Sequence, residues 1–198
     1  MVSQQELLKQ IAETGYNVGY GAKKHFATAE FVDKLPGWIG FISLAVGVMA
    51  LVFPMLSEKV PSAMLIIFSV ASLYMGFYDK NVYMKAGEKL TQSFQDLRSL
   101  YSRVKSMPPG SDFNAVELEY DRIRSEANGA GISRQIFLSD TAAHYKFFWQ
   151  QQIGWIEEQI TFRFWRDKIP LSTLVACGAL LITVLAVGMY FLINTTHR

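Results

Sequence analysis

The sequence predicts an all-α integral membrane protein: a transmembrane helical hairpin, a third C-terminal transmembrane helix, and a cytoplasmic helical or coiled-coil region. Three observations carry this. First, LPGWIGFISLAVGVMALVFPML and SAMLIIFSVASLYMGFY hold no charged residue between Pro36 and Leu56 or between Val60 and Tyr78. A bilayer core about 30 Å thick needs about 20 apolar helical residues, so each run is long enough to cross, the second only just. Second, charge is segregated. Residues 79–168 are rich in it, while the hairpin and the run from Ile169 to Asn194 have almost none. Third, the charged region carries apolar seams at helical spacing rather than strand-like alternation.

The expected organisation is amphipathic cytoplasmic helices over 1–34, the hairpin over 35–78, a cytoplasmic helical region over 79–168, a third span over 169–194 and a tail over 195–198. The N-terminal stretch does not read as a signal peptide: it has no apolar core behind a basic start and contains Glu6 and Glu13. Leu7, Leu8, Ile11 and Val18 recur at helical spacing, and Gly15, Gly19 and Gly21 predict a break. A second helix restarts at Ala22 and runs to Lys34. Pro36 and Pro61 are placed at the starts of the two spans, where a missing N–H is tolerated. Polar SEKVP turns the chain between them.

The first span carries Gly40, Ser43, Gly47 and Ala50 on one face; the second carries Ser69, Ser72 and Gly76. Small residues let helices approach closely in lipid. They fit packing within the hairpin or between protomers, and they are the candidate pore-facing positions. Past Tyr78 the helix is expected to continue. Leu90, Phe94, Leu97, Tyr101 and Val104 form a heptad seam. MPPGSD stops that helix, Asp112 caps the next one (seam Val116, Tyr120, Ile123), and NGAG ends it. A further helix is expected from Ser133 towards the membrane, with a seam of Leu138, Ala142, Tyr145 and Trp149 continued by Ile153, Ile156 and Ile160. At its lower end Phe162, Arg163, Phe164, Trp165, Arg166 and Lys168 read as a membrane-interface collar. Pro170 opens the last apolar run, with Tyr190 near its far end.

Lys23, Lys24, Lys34, Lys80, Lys85, Lys89, Arg163, Arg166 and Lys168 flank the spans on one side, against Lys59 in the turn. The positive-inside rule then places the N-terminus and residues 79–168 in the cytoplasm and the C-terminus outside. A net charge of +2 is too mild to argue for nucleic acid, and the single cysteine, Cys177, excludes a disulfide framework or CxxC site.

No catalytic, cofactor-binding or metal-binding set is expected. His25, His144 and His197 are scattered and read as packing or surface residues. Glu157 and Glu158 are adjacent, so on a helix they point apart. NGAGIS lacks the lysine of a phosphate loop. The spans contain no Asp, Glu, Lys, Arg or His, which argues against a pump or coupled transporter.

YGAKKHFATAEFVDKLPGWIGFISLAVGVM, the second span, KAGEKLTQSFQDLRSLYSRVK and LEYDRIRSEANGAGIS together resemble a SLATT domain, over about residues 15–135. The likeness lies in their order: an Ala/His/Ala helix entering a hairpin, a helix with spaced Leu and Tyr, and a polar helix ending near NGAGIS. The resemblance implies a pore-forming or membrane-disrupting effector of bacterial nucleotide-sensing defence. It implies a cytoplasmic sensor, nucleotide cyclase or reverse transcriptase as partner and abortive infection on phage attack; a homo-oligomer is expected separately, because three spans cannot enclose an aqueous path alone. It supplies no ligand-binding residues. The other reading is a non-conducting membrane scaffold that binds a partner through its helical region; an enzyme is not expected.

Overall fold

The computed structural model describes residues 3–182 except 109, 164–166, 170–172, 176 and 179–180. Phe164, Trp165, Arg166, Pro170, Tyr190, the third span as a continuous helix and the 195–198 tail lie outside the described residues. The fold is all-α, without a strand among the described residues.

One helix dominates. α1 (Gln4–Ala50) runs unbroken for 47 residues, roughly 70 Å at 1.5 Å per residue. The Ser3 hydroxyl starts it by accepting the Glu6 N–H at 3.2 Å. Its two parts are chemically different. Leu7, Ile11, Ala12, Val18, Ala22 and Ala29 are buried, and all precede Pro36. Beyond it, Trp38, Phe41, Leu44 and Val48 are exposed apolar side chains. The first part covers a protein core, and the second has no cover among the described residues.

Two expectations about α1 are corrected. Pro36 lies inside the helix, not at the start of one. Proline's φ suits a helix, and the bond it removes is tolerated where both flanks are held helical. Nor do Gly15, Gly19 and Gly21 break it. At Gly15 a Cβ would lie 2.2 Å from the Trp155 ring; at Gly19 it would lie 2.7 Å from Phe94 and 2.8 Å from Phe147. The first two glycines are therefore seats for aromatic rings. A continuous helix keeps those rings buried, which outweighs the weak helix propensity of glycine.

A turn through a short 3-10 segment, Pro54–Ser57, leads into α2 (Lys59–Met75). Leu51, Val52, Phe53 and Met55 are exposed there, so the turn itself is apolar until Ser57, Glu58 and Lys59. α2 has 17 residues and none is buried. α1 is long and apolar enough to cross a membrane; α2 meets that test only together with α3, across a bend of 61°.

That bend corrects the expectation of a continuous helix past Tyr78. α2 ends at Gly76 and α3 (Lys80–Ser106) restarts behind Asp79, whose carboxylate accepts the Asn81 N–H at 2.9 Å. The break lets Tyr78 and Tyr83 turn into a small core with Ala29 and Ile136. α3 then runs antiparallel to the first part of α1. Asp33 pairs with Lys80 at 2.6 Å, Gly87 faces Phe26, Gly19 faces Phe94, and Gln4 donates to the Val104 carbonyl at 2.7 Å. Leu90, Phe94, Leu97, Tyr101 and Val104 are all buried along this seam.

α4 (Asn114–Ala130) follows a turn in which Asp112 accepts the Asn114 N–H at 3.0 Å. It buries Val116, Tyr120, Ile123 and Ala127. The single helix expected from Ser133 is instead α5 (Ser139–Tyr145), a π-helical turn (Lys146–Gln150) and α6 (Gly154–Glu157). Leu138, Tyr145 and Trp149 are exposed and Ala142 is half-buried; Ser139, Ala143, Phe147 and Phe148 face the core. The π-turn accounts for the shift. Its wider turn brings two successive rings to one side, and Phe147 and Phe148 meet edge to face at 5.3 Å beside Tyr16.

Candidate functional site

The hairpin and the bundle meet in one place, built from residues 25–33 of α1, residues 74–83 around the bend, and the connector 131–138 between α4 and α5. His25 is its centre. The side chain is buried. Its Nε2 accepts the Ile132 N–H at 2.9 Å, so the ring proton sits on Nδ1, which donates to the Gly21 carbonyl at 2.7 Å. Burial holds the imidazole below the ordinary histidine range, with Lys24 adding to this and the Gly21 carbonyl opposing it.

Around His25 the connector is tied at every turn. Thr28 donates its hydroxyl to Gln135 Oε1 at 2.5 Å, and the Gln135 amide donates to the Ile132 carbonyl at 2.7 Å. Tyr83 donates to the Arg134 carbonyl at 2.6 Å. The Arg134 guanidinium lies 4.6 Å from the centre of the Tyr78 ring, and the Tyr78 and Tyr74 hydroxyls are 3.0 Å apart. Ile136 completes the apolar part with Ala29, Tyr78, Tyr83 and the partly buried Val32 and Met75.

Both ring nitrogens of His25 are committed to the backbone, which leaves none for a substrate or a metal ion. Among the described residues no group of three or more His, Cys, Asp or Glu side chains is arranged to hold a metal. The chemistry available is mechanical coupling: a helix entering the hairpin, the helix leaving it and a distant loop are joined by directional bonds.

The other positions singled out from the sequence are placed as follows. In the hairpin, Gly40, Gly47, Ser69 and Gly76 are exposed, and Ser43 and Ser72 are half-buried. A Cβ at Gly40 or Gly47 would meet nothing within 4 Å, so neither glycine is needed for α1 to approach α2. Ser69 donates to the Leu65 carbonyl of its own helix at 2.8 Å. Phe162, assigned to the collar that leads into the third span, lies against the bundle core. It packs on Tyr16 and Phe148, with ring centres 5.3 and 5.2 Å apart. Tyr16 precedes Pro36 by 20 residues, which is about 30 Å of helix. The Arg163 N–H donates to Asp167 at 2.8 Å, and Lys168 pairs with Glu157 at 3.2 Å. Glu158 instead takes Lys105 at 2.7 Å and the Tyr101 hydroxyl at 2.9 Å. Aromatic and basic alternation marks this segment for the interface; of its rings the described one, Phe162, is held by rings of the bundle.

The sequence reading missed the junction itself. His25 stood out only as an isolated histidine, and Tyr83, Arg134 and Gln135 carried no signal. A bare ring nitrogen facing a loop N–H more than a hundred residues away leaves no local pattern.

An all-α fold whose apolar hairpin is uncovered among the described residues, beside a packed helical bundle, is that of a membrane protein. The comparison with protein families agrees. Residues 2–177 match the model of SMODS and SLOG-associating 2TM effector domain 6, and the chain belongs to that SLATT family. This places it among the two-transmembrane effectors of defence systems. Comparison with curated proteins and with solved structures gives no match.

Proposed function

We propose that the protein is the oligomeric, pore-forming or membrane-disrupting effector of a bacterial antiphage system that acts by abortive infection. In this reading it sits in the inner membrane with the N-terminus and residues 79–168 in the cytoplasm. A nucleotide second messenger or a partner protein (a sensor, a nucleotide cyclase or a reverse transcriptase) acts on the bundle. The observation that carries the reading is the continuity of α1 from the buried core into the exposed hairpin, clamped at the junction by His25. A change in bundle packing then moves the hairpin without a loose linker to absorb it.

Two arms cannot enclose an aqueous path, so conduction requires several copies. The open face at Gly40 and Gly47 supports association between protomers. The hairpin's charged residues lie at its turn, so the pore has no fixed charge ring at mid-membrane. It passes small ions with weak selectivity or gates by wetting. The test is a potential-sensitive dye in cells carrying the triggered protein, paired with ion flux from liposomes. Collapse of the potential before lysis is the expected result. Growth arrest with the potential intact rules out the pore and leaves the scaffold.

A further inference from the structure

We infer that the connector between α4 and α5 is a second membrane contact of the bundle, an interfacial foot that sets Phe137 into the headgroup region of the bilayer. Three observations meet there. Ile136 belongs to the small core against which Met75 and Val32 pack, at the level where the hairpin leaves the bundle. The next two side chains have no cover: Phe137 is 81% exposed and Leu138 47%. Arg134, itself exposed, holds its guanidinium over Tyr78 at the end of the second arm.

The occupant follows from continuity. Val32 lies four residues before Pro36 on α1, about 6 Å of helix. A side chain beside that level adjoins the apolar surface that the hairpin presents to lipid. Exposed Phe and Leu carried on a segment that also bears an arginine are what a bilayer surface takes up at the headgroup boundary. Leu138 takes φ 68, an uncommon conformation for a leucine, and this turns the chain from the foot into α5. The foot and Ile132, whose N–H is accepted by His25 of α1, belong to one connector, so lipid contact at Phe137 and the bond at Ile132 N–H move together.

This rests on the reading that the hairpin lies in the membrane, and the experiment separates the two. The full chain, with Cys177→Ser, carries a nitroxide at Phe137→Cys, at Phe41→Cys in the hairpin or at the exposed Leu118→Cys in α4. Each protein is reconstituted in vesicles containing anionic lipid. Relaxation by oxygen, which partitions into lipid, is compared with relaxation by a water-soluble nickel chelate. The expected order of lipid exposure is Phe41 first, Phe137 intermediate and Leu118 aqueous. Phe137 as aqueous as Leu118, with Phe41 in lipid, overturns the foot and leaves the hairpin reading standing. Phe41 in water overturns both. Dipolar broadening at Phe137, with neither agent reaching it, assigns this face to a second copy of the chain and also overturns the foot.

Discussion

Gly15→Ala places a methyl group where the Trp155 ring already sits. The added Cβ would lie 2.2 Å from Cη2 and 2.9 Å from Cζ2. Ordinary carbon contacts begin near 3.5 Å, so the ring must retreat by roughly 1.3 Å. It has little room to do so, because Phe94 and Tyr101 pack on it with ring centres 5.6 and 5.2 Å away. Overpacking of this kind costs about 1–3 kcal/mol, against about 0.8–1.0 kcal/mol gained from alanine's helix propensity. The net expectation is a loss of about 0–2 kcal/mol. Gly21→Ala is the internal control. Its Cβ meets only Leu90 Cδ1, at 3.7 Å, so most of the propensity gain of about 1 kcal/mol is kept. The two variants, about 1.7 helical turns apart, should thus move stability in opposite directions. Urea unfolding of the full chain in detergent, read by pulse proteolysis of the bundle, measures this. In a Trp155→Leu background the penalty at Gly15 should disappear. Equal shifts at Gly15 and Gly21, or a stabilised Gly15→Ala, would refute the ring-seat account.

His25 sets a pH dependence. Its folded pKa is lowered, so below about pH 6.5 the unfolded chain binds the proton more readily than the folded one. Stability from this group is complete above about 6.5 and is lost as pH falls towards the folded value. His25→Gln should flatten the urea midpoint across that window, and an unchanged slope would count against the clamp. Leu97→Glu puts a carboxylate at a fully buried position and should unfold the bundle. The neighbouring Arg98→Glu, which loses an exposed bond to Gln152, should change stability by less than about 0.5 kcal/mol; limited proteolysis compares them. For topology, with Cys177→Ser, an impermeant thiol reagent should label Ser57→Cys in intact cells and not Ser102→Cys. The reverse pattern would invert the proposed orientation.

The seams were legible because burial of one helix face imposes a period on the sequence. Leu90 to Val104 and Val116 to Ile123 show it directly. The hairpin was legible because charge is costly in lipid. What could not be read locally depended on distant partners. Gly15 and Gly19 carry the signature of a weak helix, and only rings from Phe94, Phe147 and Trp155 reverse its meaning. The Phe147–Phe148 pair fits a regular helix with one ring outward until a π-turn brings both in. The junction needed the pairing of His25 with Ile132, which no spacing rule encodes.

The length of α1 bears on how the protein is made. Its first part is held by α3: Gln4 is bonded to Val104, and Gly19 is covered by Phe94. During synthesis those partners emerge only after the whole hairpin has been translated. At about 5–20 residues per second, Leu7 waits roughly 5–20 s for Leu97. Throughout that interval the leading segment is an amphipathic strip whose α3 partner has not yet been made, attached to an apolar hairpin that is already complete. The packed half of the molecule can therefore close only after the whole hairpin has been made, so the order of synthesis gives the hairpin a head start on the bundle.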